Sequence, residues 1–166
     1  MRPSAEDAVR IRRLAERLLA DCGVMGKGTG AERLHITLEL VGHDAAAHLV
    51  EAACRAADTV HRAAFDACFD AAMTFAAPSG PFVLLGSDGL DRVRELRTAL
   101  AIAMAEHGFS PVRNYEPHMT LGYDAHRRVP RFSIEPLGFR AAEFSLVKSH
   151  IGFSRHEVIR TWSLAE

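Results

Sequence analysis

Arg33-Leu34-His35-Ile36-Thr37-Leu38-Glu39-Leu40-Val41-Gly42 is the stretch whose reading decides the fold. Leu34, Ile36, Leu38 and Leu40 alternate with His35, Thr37 and Glu39, the period-two pattern of a half-buried strand. Residues two apart on a strand share a face at roughly 6–7 Å, so His35 and Thr37 stand together opposite the leucines. The pattern then returns. Pro117-His118-Met119-Thr120-Leu121-Gly122-Tyr123 places His118 and Thr120 on one face and Met119, Leu121 and Tyr123 on the other. Two His-x-Thr-Leu strands in one small chain predict a duplicated architecture, paired about a pseudo-twofold axis, with both His/Thr pairs at a shared cleft.

The bulk properties set the frame for that reading. A chain of 166 residues makes one domain, 1–166, with a single sizeable core. Twenty Lys and Arg against 21 Asp and Glu leave a net charge of −1, so nucleic-acid contact, where it occurs, is local to a cleft. Cys22, Cys54 and Cys68 have no paired spacing and read as buried free thiols of a reducing compartment. No apolar run approaches transmembrane length and the first segment is a charged helix, which together predict a cytoplasmic protein with no membrane partner.

Working outward, Ser4 and Asp7 resemble a capping box, and Val9, Ile11, Leu14, Leu18 and Cys22 recur at helical spacing, predicting a first helix to about Asp21. The Gly23–Gly30 run lacks the Lys-Ser/Thr ending and the strand-before, helix-after context of a phosphate loop, and reads as a connector. Asp44 is expected to cap a helix reaching about His61. Ala64–Met73 and Phe82–Leu85 read as strands, and Leu90, Val93, Leu96, Leu100 and Met104 mark the inner stripe of a helix through Glu106. After the His118 strand come a basic loop (His126, Arg127, Arg128, Arg131), a strand Glu143–Ile151 and a last strand Glu157–Leu164. Strands outnumber helices and hairpins mix with crossovers. The expected class is therefore α+β: two pseudo-symmetric lobes of mainly antiparallel sheet, with outer helices around a central cleft.

With both motifs in view, the chain resembles the two-histidine (2H) phosphoesterase superfamily, and within it the RNA 2′,3′-cyclic phosphodiesterase branch, also called 2′-5′ RNA ligases. His35-Ile36-Thr37-Leu38 and His118-Met119-Thr120-Leu121 match its paired His-x-Thr/Ser-x signature. The Leu-Val-Gly after the first motif, the Glu-Pro-His leading into the second, His107-Gly108-Phe109 and Leu146-Val147-Lys148-Ser149 add support. The resemblance runs from about residue 3 to the C-terminus. Family members usually open with a strand carrying an aromatic; this chain starts almost at the helix, which predicts an empty strand slot and an exposed edge that invites weak dimerisation. Many relatives also follow the second motif with a substrate-holding arginine, where this chain has Gly122-Tyr123. Arg113, Arg127, Arg128 or Lys148 are the candidate substitutes, and Tyr115 or Tyr123 could stack on a base.

The resemblance implies hydrolysis of 2′,3′-cyclic phosphate ends of RNA or of small cyclic nucleotides, with 2′-5′ ligation as the reverse, by two-histidine acid–base catalysis. It makes His118 the general base, His35 the general acid, and Thr37 and Thr120 the phosphate donors. A histidine suits both roles because its ordinary pKa near 6.5 leaves neutral and charged forms available near neutrality. No metal and no cofactor are expected: no third ligand sits at a usual zinc spacing from the histidines. The alternatives are an enzyme opening ADP-ribose 1″,2″-cyclic phosphate and a non-catalytic nucleotide- or RNA-binding module on the same fold. A monomer or weak dimer is expected.

Overall fold

The computed structural model describes residues 1–150 and 155–165. Ser4 caps the first helix: its Oγ accepts the Asp7 N–H at 3.1 Å, and α1 (Ala5–Asp21) turns Ala8, Ile11 and Ala15 inward. The second helix, α2 (Ala47–Asp58), begins later than expected. Asp44 adopts a positive φ of 50° and turns the chain, leaving Ala46 at the cap position without a side-chain bond. A short 3-10 turn at Asp88–Leu90 leads into α3 (Asp91–Glu106), which buries Val93, Leu96, Leu100 and Met104. Among the described residues, no helix is long and apolar enough to cross a membrane.

The strands form two antiparallel sheets. The larger has the order β1 (Lys27–Gly28), β4 (Met119–Tyr123), β3 (Pro81–Leu85), β2 (Phe65–Thr74), β5 (Phe132–Ala141); the smaller is the hairpin of β6 (Glu143–His150) and β7 (Arg155–Ser163). One face of the larger sheet presents Ala72, Phe82, Leu84, Met119 and Leu121 to the main core, where they meet Ile11, Leu34, Ile36 and Leu96. The opposite face carries a smaller cluster of Ala71, Val83 and Leu85, flanked by Met73 and Phe75. Core and cleft are thus the two sides of one sheet. The class is α+β with antiparallel sheets and few helices, as the residue pattern predicts.

Several expectations are corrected. The 33–42 stretch is extended and its alternation holds from Leu34 through Leu38, but Leu40 is 52% exposed. Among the described residues its pairing with β4 is a single bridge, Ile36 to Met119. On the edge away from β4, Ile36 N–H donates to Met1 O at 2.9 Å, and the terminal ammonium of Met1 donates back to Ile36 O at 2.9 Å. The strand position expected to be empty beside the first motif therefore holds Met1. The Gly23–Gly30 connector contains β1, whose Gly28 pairs with Gly122; a Cβ on Gly122 would stand 3.1 Å from Lys27 O, so glycine allows that close approach. β5 goes unforeseen because Pro136 and Gly138 interrupt its pattern, and an edge strand tolerates both. The three cysteines are free but only partly buried. The expected strand to Ile151 is described through His150, and Ile151 lies outside the described residues.

Candidate active site

One bridge assembles the site. Because Ile36 faces Met119 in an antiparallel pair, His35 lies opposite Thr120 and Thr37 opposite His118. All four side chains stand on the face away from the buried Ile36 and Met119. Directly opposed residues on such a pair have Cβ atoms roughly 4.5–5.5 Å apart and diagonal ones roughly 7–8 Å. The result is a diamond: two histidines across one diagonal, two threonines across the other.

Each histidine is held in the same way. His35 Nδ1 lies 2.7 Å from Arg33 O and His118 Nδ1 2.8 Å from Glu116 O. A carbonyl only accepts, so both Nδ1 atoms carry the proton, and each Nε2 is left to give or take a proton at the cleft. The surroundings differ. His35 is half-buried, with the His156 ring edge-on at 5.3 Å between centroids. Burial, above all, lowers its pKa; the Met1 ammonium, His156 and Arg2 push the same way, while the bond to Arg33 O opposes them. His118 packs its ring against Phe75, 4.9 Å between centroids.

A network behind the motifs fixes their spacing. Tyr115, shortly before His118, donates its hydroxyl to Thr37 O at 2.9 Å, and burial raises that phenol's pKa above its ordinary value. The Arg97 guanidinium lies over the Tyr115 ring at 5.0 Å and places Nη2 2.8 Å from Glu39 Oε2, with both side chains largely buried. Glu39 Oε1 accepts Val112 N–H at 3.1 Å, and Arg97 Nη2 donates to Val112 O. Thr37 and the run-in to His118 are therefore tied together through α3.

A bulge aims Tyr123. Phe82 pairs with Gly122 but Val83 pairs with Thr120, so Leu121 is unmatched. The extra residue returns Tyr123 to the face of Thr120, where it borders a cavity of about 440 Å³ with His35, Thr37, Arg2, His156 and Trp162. Strict alternation had placed Tyr123 with Met119 and Leu121. Tyr115 is committed to Thr37 O and Arg97. Of the basic candidates, Arg127 donates Nε to Cys22 O at 2.7 Å and fastens its loop to the end of α1. Arg128 donates to Asp124, Arg127 and Ala77 carbonyls. Arg113 is exposed on the loop before Tyr115, and Lys148 is exposed on β6 opposite Glu157. None of these four borders the cavity.

The residues that sequence reasoning missed are Arg2, His156, Phe75, Glu39 and Arg97. Arg2 and His156 come from chain ends and carry no motif. The acidic Glu39 sits in the polar register of the first strand and reads there as solvated, although its side chain is buried. Among the described residues, no three His, Cys, Asp or Glu side chains gather in a group that could hold a metal ion.

Comparison with known proteins places this geometry. The fold resembles Escherichia coli LigT: against its structure complexed with ATP the TM-score is 0.79 at 21% identity, covering all of this chain and 95% of that one. Against LigT complexed with 3′-AMP it is 0.78 at 24% identity, with the same coverage. The protein TT0787 of Thermus thermophilus matches with a TM-score of 0.68 at 19% identity, over 93% of this chain and 92% of that one. No curated protein matches at the level of sequence. The family model of the 2′-5′ RNA ligase superfamily matches residues 3–152, a span that holds both His-x-Thr motifs and the elements that juxtapose them. On that match the chain belongs to the 2′-5′ RNA ligase superfamily, the two-histidine phosphoesterases.

Proposed function

We propose that the protein hydrolyses 2′,3′-cyclic phosphates, at RNA 3′ ends or on small nucleotides, by metal-independent acid–base catalysis between His118 and His35. The observation that carries the reading is the diamond of two Nδ1-anchored imidazoles and two hydroxyls across a single bridge. A phosphoryl group seated on it has a proton acceptor and a proton donor on opposite sides, as in-line displacement needs. His118 Nε2 takes a proton from water, whose oxygen forms the new bond to phosphorus. The bond from phosphorus to one ribose oxygen breaks, and His35 Nε2 protonates that leaving oxygen. Thr37 and Thr120 donate to the phosphoryl oxygens as charge builds on them. Run backwards, the same transfers join a hydroxyl to a cyclic phosphate, which is 2′-5′ ligation.

As the acid, His35 must carry a proton that its burial opposes. The negative charge of a bound cyclic phosphate offsets that opposition, so substrate and acid are loaded together. In this reading Tyr123, 45% exposed and bordering the cavity, stacks on the base. That LigT, of the same fold, has been solved with ATP and with 3′-AMP supports a nucleotide ligand. We take the working form as a monomer or weak dimer.

The test is hydrolysis of a small 2′,3′-cyclic nucleotide and of a cyclic-phosphate-ended oligonucleotide in EDTA. Wild type is expected to turn over, and His35→Ala and His118→Ala each to lose about two orders of magnitude or more in kcat. An inert wild type that still binds the nucleotide overturns the enzymatic reading. The position of the product phosphate fixes the regiochemistry.

A further inference from the structure

On the side of His35 away from Thr120, the site continues. The reciprocal hydrogen bonds between Met1 and Ile36 make an antiparallel pair, which places Arg2 opposite His35 on the same face. Across that face run Arg2, His35 and Thr120, one strand-width apart, roughly 4.7–4.9 Å each. His156, on β7, closes the corner with its ring edge-on to His35. Arg2, His35 and His156 all border the cavity.

This corner centres on the Arg2 guanidinium. Arg2 Nη2 and His156 Nδ1 are both buried, and among the described residues neither has a hydrogen-bond partner. The guanidinium is a donor, and the imidazole is one in the form that carries its proton at Nδ1; buried polar atoms without partners are destabilising, so the pair points to a ligand that accepts from both. Nearby carboxylates are engaged elsewhere: Glu39 with Arg97, Asp58 with Arg160 and Trp162, and Glu157 with His150. Glu32 lies 3.7 Å from Arg33. The lowered pKa of His156, caused by burial and then by Arg2 and Arg33, fits a pocket where positive charge outweighs negative, although the Glu143 carboxylate acts on the neighbouring Met1 terminus.

We propose that Arg2 and His156 form a second anion subsite, which binds a phosphate of the substrate nucleotide other than the one that reacts, in the simplest case its 5′-phosphate. The position argues for a separate group. Arg2 lies one strand beyond His35, on the side opposite His118, whereas the reacting phosphoryl group sits between the two histidines. A guanidinium fork with an imidazole N–H suits a phosphate's several acceptor oxygens. The inference rests on the nucleotide chemistry of the proposed function, and it gives the protein a preference for phosphorylated over unphosphorylated ends.

The experiment compares 3′-AMP with adenosine 3′,5′-bisphosphate by calorimetry, on wild type, Arg2→Ala, Arg2→Gln and His156→Gln, with unfolding curves to confirm that each variant is folded. Wild type is expected to bind the bisphosphate roughly ten-fold tighter or more, and the ratio is expected to fall toward one in each variant. Arg2→Gln keeps a donor and much of the volume, so it answers if Arg2→Ala does not fold. Equal affinities in wild type overturn the subsite. So does a ratio that survives in the Arg2 variants, which would place the second phosphate elsewhere. Steady-state hydrolysis of adenosine 2′,3′-cyclic phosphate with and without a 5′-phosphate separates this inference from the activity. Turnover with no preference sinks the subsite alone, whereas a bisphosphate preference without turnover keeps the subsite and sinks the hydrolytic reading.

Discussion

Glu39→Gln tests whether the network behind the motifs does more than fill space. The Glu39 side chain is 3% exposed and that of Arg97 14%, with Nη2 and Oε2 2.8 Å apart. The substitution keeps the shape and the acceptor for Val112 N–H but removes the charge that faces the guanidinium. Stripping one partner from a buried ion pair costs about 3–5 kcal/mol, because the other charge is left uncompensated. For a domain of this length each kcal/mol lowers Tm by about 2–4 °C, so a fall of roughly 10 °C is expected. Activity should fall as well. Arg97 lies over Tyr115, and Tyr115 anchors Thr37 O, so loosening the pair moves a phosphate donor; kcat is expected to drop roughly ten-fold. Urea unfolding of Glu39→Gln, Arg97→Met and the double variant gives the coupling directly. The double variant should be more stable than Glu39→Gln, since it no longer buries a lone cation. A loss below about 1 kcal/mol, the scale of a surface pair, or simple additivity in the cycle would refute the reasoning.

With His118 as the base and His35 as the acid, kcat/KM is bell-shaped in pH, and its descending limb follows the protonated fraction of His35 in the free enzyme. Because its pKa is lowered, that limb should set in below pH 6.5 in wild type, and a profile with no descending limb below neutrality would refute His35 as the acid. Stability should run the other way. His35 and His156 are both depressed, the unfolded chain binds more protons below pH 6.5, and so the unfolding free energy should fall between pH 7 and pH 5; a flat profile counts against the assigned burial. Thr37→Val and Thr120→Val each remove one phosphate donor and should lower kcat by about 10²-fold, with Tm nearly unchanged; a loss confined to KM would mean that the hydroxyls bind the ground state alone. Phe75→Leu removes the ring edge-on to His118. It should cut kcat more than it raises KM, and an unchanged kcat would make Phe75 a packing residue only.

What the sequence makes legible is what strand periodicity carries. The buried run Leu34, Ile36, Leu38 and the polar run His35, Thr37 stand on opposite faces as alternation requires, and the repeat at His118 predicts the shared cleft. Periodicity fails where the backbone departs from it. The unmatched Leu121 shifts Tyr123 to the other face, and no side-chain pattern announces a bulge of that kind. β5 is hidden by Pro136 and Gly138 because their cost depends on lying at a sheet edge, which is a property of the tertiary fold. The basic candidates illustrate the same limit from the other side. Arg127 and Arg128 are spent on carbonyls of their own surroundings, while Arg2, which sequence reading left aside, reaches the cavity because Met1 pairs with Ile36.

The site combines a symmetric geometry with asymmetric surroundings, and the chemistry needs both. Duplication alone explains why each histidine bonds through Nδ1 to the carbonyl two residues before it, and why each faces a threonine of the other motif. Two identical imidazoles would titrate together, however, and hydrolysis requires one to enter protonated and the other neutral. The difference comes from outside the motifs. His35 is walled in by His156 and Arg2, beside the buried Met1 ammonium, whose own pKa burial pushes down to about 5. Phe75 is the ring against His118. Burial makes the proton on His35 costly in the empty site and Arg2 adds to the cost, and Arg2 is a group that a phosphate ligand would neutralise. On the proposed mechanism, binding would restore the acid as the phosphate arrives, and the unequal surroundings of the two histidines would set the direction of proton transfer.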